Sequence, residues 1–120
     1  MEYEVFPFTD NMEKYYNLSD VVISRSGATT IFELAYFKKA AILIPYPFSA
    51  GQHQKTNAAH VASLGGAYVV DNNELNGKKL HNLLSSLMEN PGRLKEMGNN
   101  IGRLYIEDAA ERILKEIVGF

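Results

Sequence analysis

Residues 21–57, VVISRSGATTIFELAYFKKAAILIPYPFSAGQHQKTN, change hydrophobic period several times, and those changes decide the fold. Val21, Val22 and Ile23 form a short apolar run of the kind buried in a parallel sheet. Small and hydroxylic residues from Ser24 to Thr30 follow around Gly27, as in a sharp turn. From Ile31 the spacing is helical, ending near Lys38 and Lys39, whose charges suit a helix C-terminus. Residues 40–44 are a second apolar run, stopped by Pro45 and Pro47 before a polar loop that enters another helix. Strand, turn, helix, strand is a unit that can seat a ligand on the amides at the helix start.

Outward from this unit, the β-formers of residues 3–8 predict a strand closed by Pro7. Thr9 or Asp10 can cap a short helix through Tyr16, with Met12, Tyr15 and Tyr16 facing a core, before Asn17 and Ser19 break it. Downstream, Asn57, Ala58, Val61 and Leu64 stand at helical spacing, and Gly65-Gly66 closes that helix ahead of a strand at 67–70. Leu75, Leu80, Leu83, Leu84, Leu87 and Met88 make an amphipathic helix that Asn90-Pro91 terminates. Leu94, Met97, Ile101 and Leu104 predict a further helix, and residues 107–118 a last one. Strands alternating with helices, joined by connections too long for hairpins, imply an α/β fold: a Rossmann-like parallel sheet with helices on both faces.

At 120 residues the chain is expected to be one domain, without linker, repeat or low-complexity segment. Its 46% hydrophobic and 22% charged residues are those of a folding globular chain. The formal net charge of −2 provides no global field for nucleic acid, so phosphate recognition would be local. The absence of cysteine fits a reducing compartment, with cytoplasm as the default. No apolar run approaches the ~20 residues that span a bilayer, and MEYEVF is not a signal peptide, so any membrane contact is expected to be peripheral.

In such sheets ligands bind beyond the C-terminal ends of the strands, where three loops qualify. Phe8 and Thr9 offer an apolar surface and backbone groups to a flat base, or are plain core. Ser26, Gly27, Ala28, Thr29 and Thr30 offer amides and the positive end of a helix dipole to a phosphate without a metal, or are a turn with a Thr cap. The turn matches neither glycine-rich nucleotide motif. Glu33 lies a turn into the helix, where a carboxylate can accept a ribose diol or simply complement the dipole. His53, Gln54 and Asn57 belong to a loop dense in groups that donate and accept together, as sugar hydroxyls require; the alternative is a polar loop capping a helix. His60 and His81 read as surface or core. No residues have metal-ligand spacing. Lys78, Lys79, Arg93, Lys95 and Arg103 read as solvated helix faces, with a membrane-surface role as the other option.

Residues 19–70, SDVVISRSGATTIFELAYFKKAAILIPYPFSAGQHQKTNAAHVASLGGAYVV, resemble the MurG family, the UDP-N-acetylglucosamine transferases that convert lipid I to lipid II in peptidoglycan synthesis. The similarity extends through VFPFTDNMEKYYNLSD, NPGRLKEMG and DAAERI. It implies a GT-B architecture in which residues 1–120 are part of the C-terminal, UDP-sugar-binding domain. By that resemblance Thr9 pairs with uracil through its backbone, supported by Phe8. Ala28, Thr29 and Thr30 meet the diphosphate and an outer sugar hydroxyl, and Glu33 binds the ribose diol. His53 and Gln54, with Asn57 behind them, contact the GlcNAc ring; Gln52 departs from the Asp often found there.

The family's glycine-rich loop and acceptor domain have no counterpart in the chain. The resemblance therefore implies the donor half of an inverting transferase, with no catalytic residue, cofactor or metal of its own and inactive alone. Its partners would be UDP-GlcNAc and a missing N-terminal acceptor domain or partner chain. The full-length family is cytoplasmic and peripheral at the inner face of the bacterial plasma membrane. Of the strand order 3-2-1-4-5-6 only the third to sixth strands are present. Residues 3–8 are then expected to move beside 21–24, or to swap into a second copy as a homodimer through the open edge. The alternatives are a non-catalytic nucleotide-sugar-binding subunit and a related glycolipid glycosyltransferase using another UDP-sugar.

Overall fold

The computed structural model describes residues 12–48 and 53–118 of the chain. Their elements are α1 (Met12–Leu18), β1 (Val21–Ser24), α2 (Ala28–Phe37), β2 (Ala40–Leu43), α3 (His53–Ser63), β3 (Ala67–Val69), a short 3-10 turn at Asn72–Glu74, α4 (Gly77–Met88) and α5 (Pro91–Val118). The three strands form one sheet in the order β1-β2-β3, all parallel, with Val21 opposite Ala40 and Ala41 opposite Ala67. The strand expected at residues 3–8, with Phe8, Thr9 and the pairing proposed for it, lies outside the described residues.

Strand β2 is buried along its whole length, and its period of two sorts its side chains between two cores. Ala41 and Leu43 join Tyr16, Leu34, Ala35, Ala58, Val61, Ala67 and Ile101 beneath α1, α2 and α3. Ala40, Ile42 and Ile44 join Val70, Leu87 and Met97 beneath α4 and the start of α5. Removing a side chain such as Ile42 or Leu43 from water contributes about 1.5–3 kcal/mol. The apolar run thus works as a central strand covered on both faces, which is why it shows no alternation in sequence.

Two boundaries differ from expectation. The helices expected around residues 94–104 and at 107–118 are one continuous helix, α5. In the middle of it, Gly98 and Gly102 lie against the α2–β2 junction. A Cβ added at Gly98 would overlap the Lys38 carbonyl oxygen, and one at Gly102 would come within 3.0 Å of Lys38 Cγ. These glycines weaken a helix in isolation, but here they let the backbone of α5 pass close to the chain before β2. Gly66, just ahead of β3, packs equally tightly: an added Cβ would be 2.9 Å from that of Ile101. Helix α5 therefore closes the N-terminal edge of the sheet. Its opposite, C-terminal edge carries the loops of interest.

The second difference is at Gly27. It is the N-cap of α2, with φ −66° and ψ 153°, and no side chain caps the helix. The alternative of a turn with a Thr cap is therefore absent; an added Cβ at Gly27 would lie 3.9 Å from Gln54 Nε2, in ordinary contact. The conformation that does favour glycine is at Gly65, φ +78°, in the turn that follows α3.

Candidate functional site: two helix starts clasped at the strand ends

Beyond Ser24 the chain turns directly into α2. Ile31 N–H is bonded to Gly27 O at 3.0 Å, so the amides of Ala28, Thr29 and Thr30 have no intrahelical acceptor. Ala28 and Thr29 are exposed and Thr30 half-buried. The start of a ten-residue helix is thus open to an anion, with its dipole directed outward.

The start of α3 is held by three polar contacts, two to this corner and one to the segment after β2. Ser26, fully buried, donates its hydroxyl to Gln54 O at 2.6 Å. Asn57 Nδ2 donates to Ser26 O at 3.2 Å, and Tyr46 N–H donates to Gln54 Oε1 at 2.8 Å. Ser26, Gln54 and Asn57 therefore act first as a clasp that brings α3 beside α2 with the correct spacing. Gln54 and Asn57 are half-buried, whereas His53, the first residue of α3, is exposed. Of the residues singled out in the sequence, Ser26, Gly27, Ala28, Thr29, Thr30, His53, Gln54 and Asn57 converge at these two helix starts; Phe8 and Thr9 lie outside the described residues.

Glu33 sits further along α2 and is half-buried. Its Oε2 accepts a 2.8 Å hydrogen bond from the hydroxyl of Tyr16 on α1. The Tyr16 ring is 3% exposed and stacks on Phe37, with centroids 5.0 Å apart and planes at 21°. Glu33 and Phe37 are four residues apart on one face of α2, so a single tyrosine covers one and bonds the other. Burial pushes the Tyr16 phenol well above its ordinary value, and the Glu33 bond adds to the shift. The hydroxyl remains a donor throughout the physiological range.

Two contributors were not singled out in the sequence. Tyr16 read only as core, yet a buried tyrosine hydroxyl needs a partner and an acidic residue is available on the neighbouring helix. Arg25 follows β1 directly, and its Nη1 donates to Ile44 O at 3.2 Å, Pro45 O at 3.4 Å and Asn72 Oδ1 at 2.8 Å. One exposed guanidinium thereby ties together the chain leaving all three strands. The signal was a cation directly after a short apolar strand. Away from this edge, a hollow of about 410 Å³ opens between α2, α3 and α5, reaching the helix starts only at Ala28, Thr56 and Asn57.

Comparison with known proteins bears on the family and the fold. Residues 1–113 match the model of the glycosyltransferase family 28 C-terminal domain. A protein of Crocosphaera subtropica named UDP-N-acetylglucosamine–N-acetylmuramyl-(pentapeptide) pyrophosphoryl-undecaprenol N-acetylglucosamine transferase is 42% identical over 97% of the chain and 33% of its own length. A protein of the same name from Aquifex aeolicus is 36% identical over 98% of the chain and 33% of its own length. Among solved structures, Acinetobacter baumannii MurG superposes with a TM-score of 0.74 at 33% identity, over 83% of this chain and 28% of that one. The chain spans about a third of the length of the relatives it matches. A parallel α/β unit with two helix starts clasped over its strand ends, matching over nearly its whole sequence, belongs to the glycosyltransferase family 28 C-terminal domain.

Proposed function

We propose that the chain supplies the donor-nucleotide side of a GlcNAc transferase acting on a lipid-linked acceptor, with UDP-GlcNAc as the donor. The observation that carries this is the open start of α2, clasped to the start of α3 through Ser26, Gln54 and Asn57, in a chain of this family. The diphosphate would rest on the amides of Ala28, Thr29 and Thr30, and the ribose diol on Glu33. The GlcNAc ring would lie against His53, Gln54 and Asn57, with the uracil towards Phe8 and Thr9. Residues 1–120 are thus read as part of a UDP-sugar-binding domain.

In the inverting transfer, an acceptor hydroxyl forms a bond to the anomeric carbon as the bond from that carbon to the diphosphate breaks. The electron pair leaves with UDP, and the hydroxyl proton goes to a base outside this chain. Negative charge grows on the departing diphosphate, where the preoriented amides of α2 stabilise it without reorganising. Stabilising the leaving group is therefore the chain's contribution. The acceptor is bound by polypeptide beyond these residues, and the whole enzyme would work peripherally at the cytoplasmic membrane face; among the described residues no helix is long and apolar enough to cross a membrane.

Titration of the 15N-labelled chain with UDP, UDP-GlcNAc, UDP-galactose and uridine tests this. UDP and UDP-GlcNAc should move the amide resonances of Ala28–Thr30, and UDP-GlcNAc alone should also move His53, Gln54 and Asn57. Uridine should leave Ala28–Thr30 in place. Indifference to all four compounds would overturn the proposal, and an equal response of His53, Gln54 and Asn57 to UDP-galactose would remove GlcNAc as the preferred sugar.

A further inference from the structure

Glu33 is the one acidic residue of α2, and its neighbour across the α1–α2 contact is a buried phenol rather than a cation. The tyrosine donor occupies one lone pair on Oε2, and a carboxylate has about four such sites, so the remainder are left for a ligand's hydroxyls. The phenol is itself immobile, since its ring is enclosed at 3% exposure and stacked on Phe37. It also does not ionise near neutral pH, because burial and the adjacent carboxylate both hold its proton. Rotation of the Glu33 carboxylate is therefore restrained from below by a fixed donor, while the half-buried group remains reachable by a ligand.

We infer that Tyr16 is a positioning residue for ribose recognition: its hydroxyl holds the Glu33 carboxylate oriented, so that it receives a vicinal diol and selects ribonucleoside over deoxyribonucleoside diphosphates. This rests on the donor-site reading above. The energetic reason is preorganisation. A carboxylate already ordered loses little freedom when the diol arrives, whereas a freely rotating one must be ordered by the ligand.

The test compares UDP with 2′,3′-dideoxy-UDP on the wild-type chain and on Tyr16→Phe, which keeps the ring and its stacking. The wild type should prefer UDP. Tyr16→Phe should weaken UDP about three- to tenfold, the range of one hydrogen bond, and leave the dideoxy affinity unchanged, so that the preference shrinks by that factor. In a Glu33→Gln background, Tyr16→Phe should have a smaller effect than in the wild type. A role confined to fastening α1 to α2 would change both ligands by the same factor, and that result would overturn the inference. A wild type that binds UDP and its dideoxy analogue equally would instead remove Glu33 from the ribose site, failing the underlying reading first. A measurement needing no variant is the 13Cζ resonance of Tyr16, which senses the hydrogen bond of its hydroxyl. It should move on addition of UDP and stay in place with the dideoxy compound; no movement with either ligand overturns the inference.

Discussion

The two ends of the sheet are finished in opposite ways. At the N-terminal edge α5 passes so close to the chain before β2 and β3 that Gly98 and Gly66 leave no room for a side-chain carbon. At the C-terminal edge the loops stand apart and are joined by side-chain hydrogen bonds, from Ser26, Asn57 and Arg25, each to a backbone carbonyl. At those two glycines close packing admits no added carbon, although a hollow of about 230 Å³ opens on the same edge beside Asp20, Lys38, Lys39 and Leu94. The polar clasp instead fixes spacing and leaves the first amides of α2 without an intrahelical acceptor, so the two ends hold the chain together by different means.

The contrast breaks most severely at Gly98. Gly98→Ala should destabilise the chain by about 3 kcal/mol or more, because the clash is with backbone; denaturant unfolding measures it, and UDP affinity of the folded fraction should be unchanged. At the other edge Glu33→Ala should weaken UDP binding by about 1.5–3 kcal/mol, the range for a hydrogen bond to a charged group, and should also lower stability, because the buried Tyr16 hydroxyl loses its acceptor. Calorimetry reads it, and unchanged affinity would place Glu33 outside the site. Ser26→Ala should affect both properties, losing about 0.5–1.5 kcal/mol of stability with its hydrogen bond to the Gln54 carbonyl and blunting the response of Ala28–Thr30 to UDP.

A smaller effect concerns alkaline pH. Tyr16 is raised above its ordinary value of 10.0 in the folded chain, so the folded state holds the proton more tightly than the unfolded one. Its contribution is complete below pH 10 and is lost as pH rises beyond it. The stability of the wild type should fall above pH 10, and that of Tyr16→Phe should fall less. The smallest effect is at Glu74, whose carboxyl the hydrogen bond and charge of Lys79 hold below the usual range at a 2.9 Å ion pair on the exposed surface. Glu74→Gln should leave both the unfolding midpoint and UDP affinity unchanged.

Much of this was legible in the sequence, and for identifiable reasons. The runs 21–24 and 40–43 are short, apolar and followed by breakers, so β1, α2 and β2 follow from local pattern alone. The continuity of α5 does not, because Gly98 and Gly102 argue locally against a helix and are explained only by the proximity of Lys38, sixty residues back. The same holds within the site. Glu33 and the α2 start stand out by spacing, but the tyrosine that orients Glu33 and the arginine that joins the strand ends act through partners 17 and up to 47 residues away. Periodicity carries no information about such pairs.

Lys38 ends α2 in the left-handed conformation, φ 54°, at a position where helices ordinarily place glycine. A non-glycine residue there costs roughly 1–2 kcal/mol. Natural variation and protein engineering therefore have the same route to a hardier domain. Lys38→Gly would relieve that backbone at the N-terminal edge of the sheet, away from the helix starts, but would also remove the Lys38 stem that lies against Gly102 and add glycine's entropy cost of about 0.5–1 kcal/mol, so the net gain in heat resistance is what remains after both.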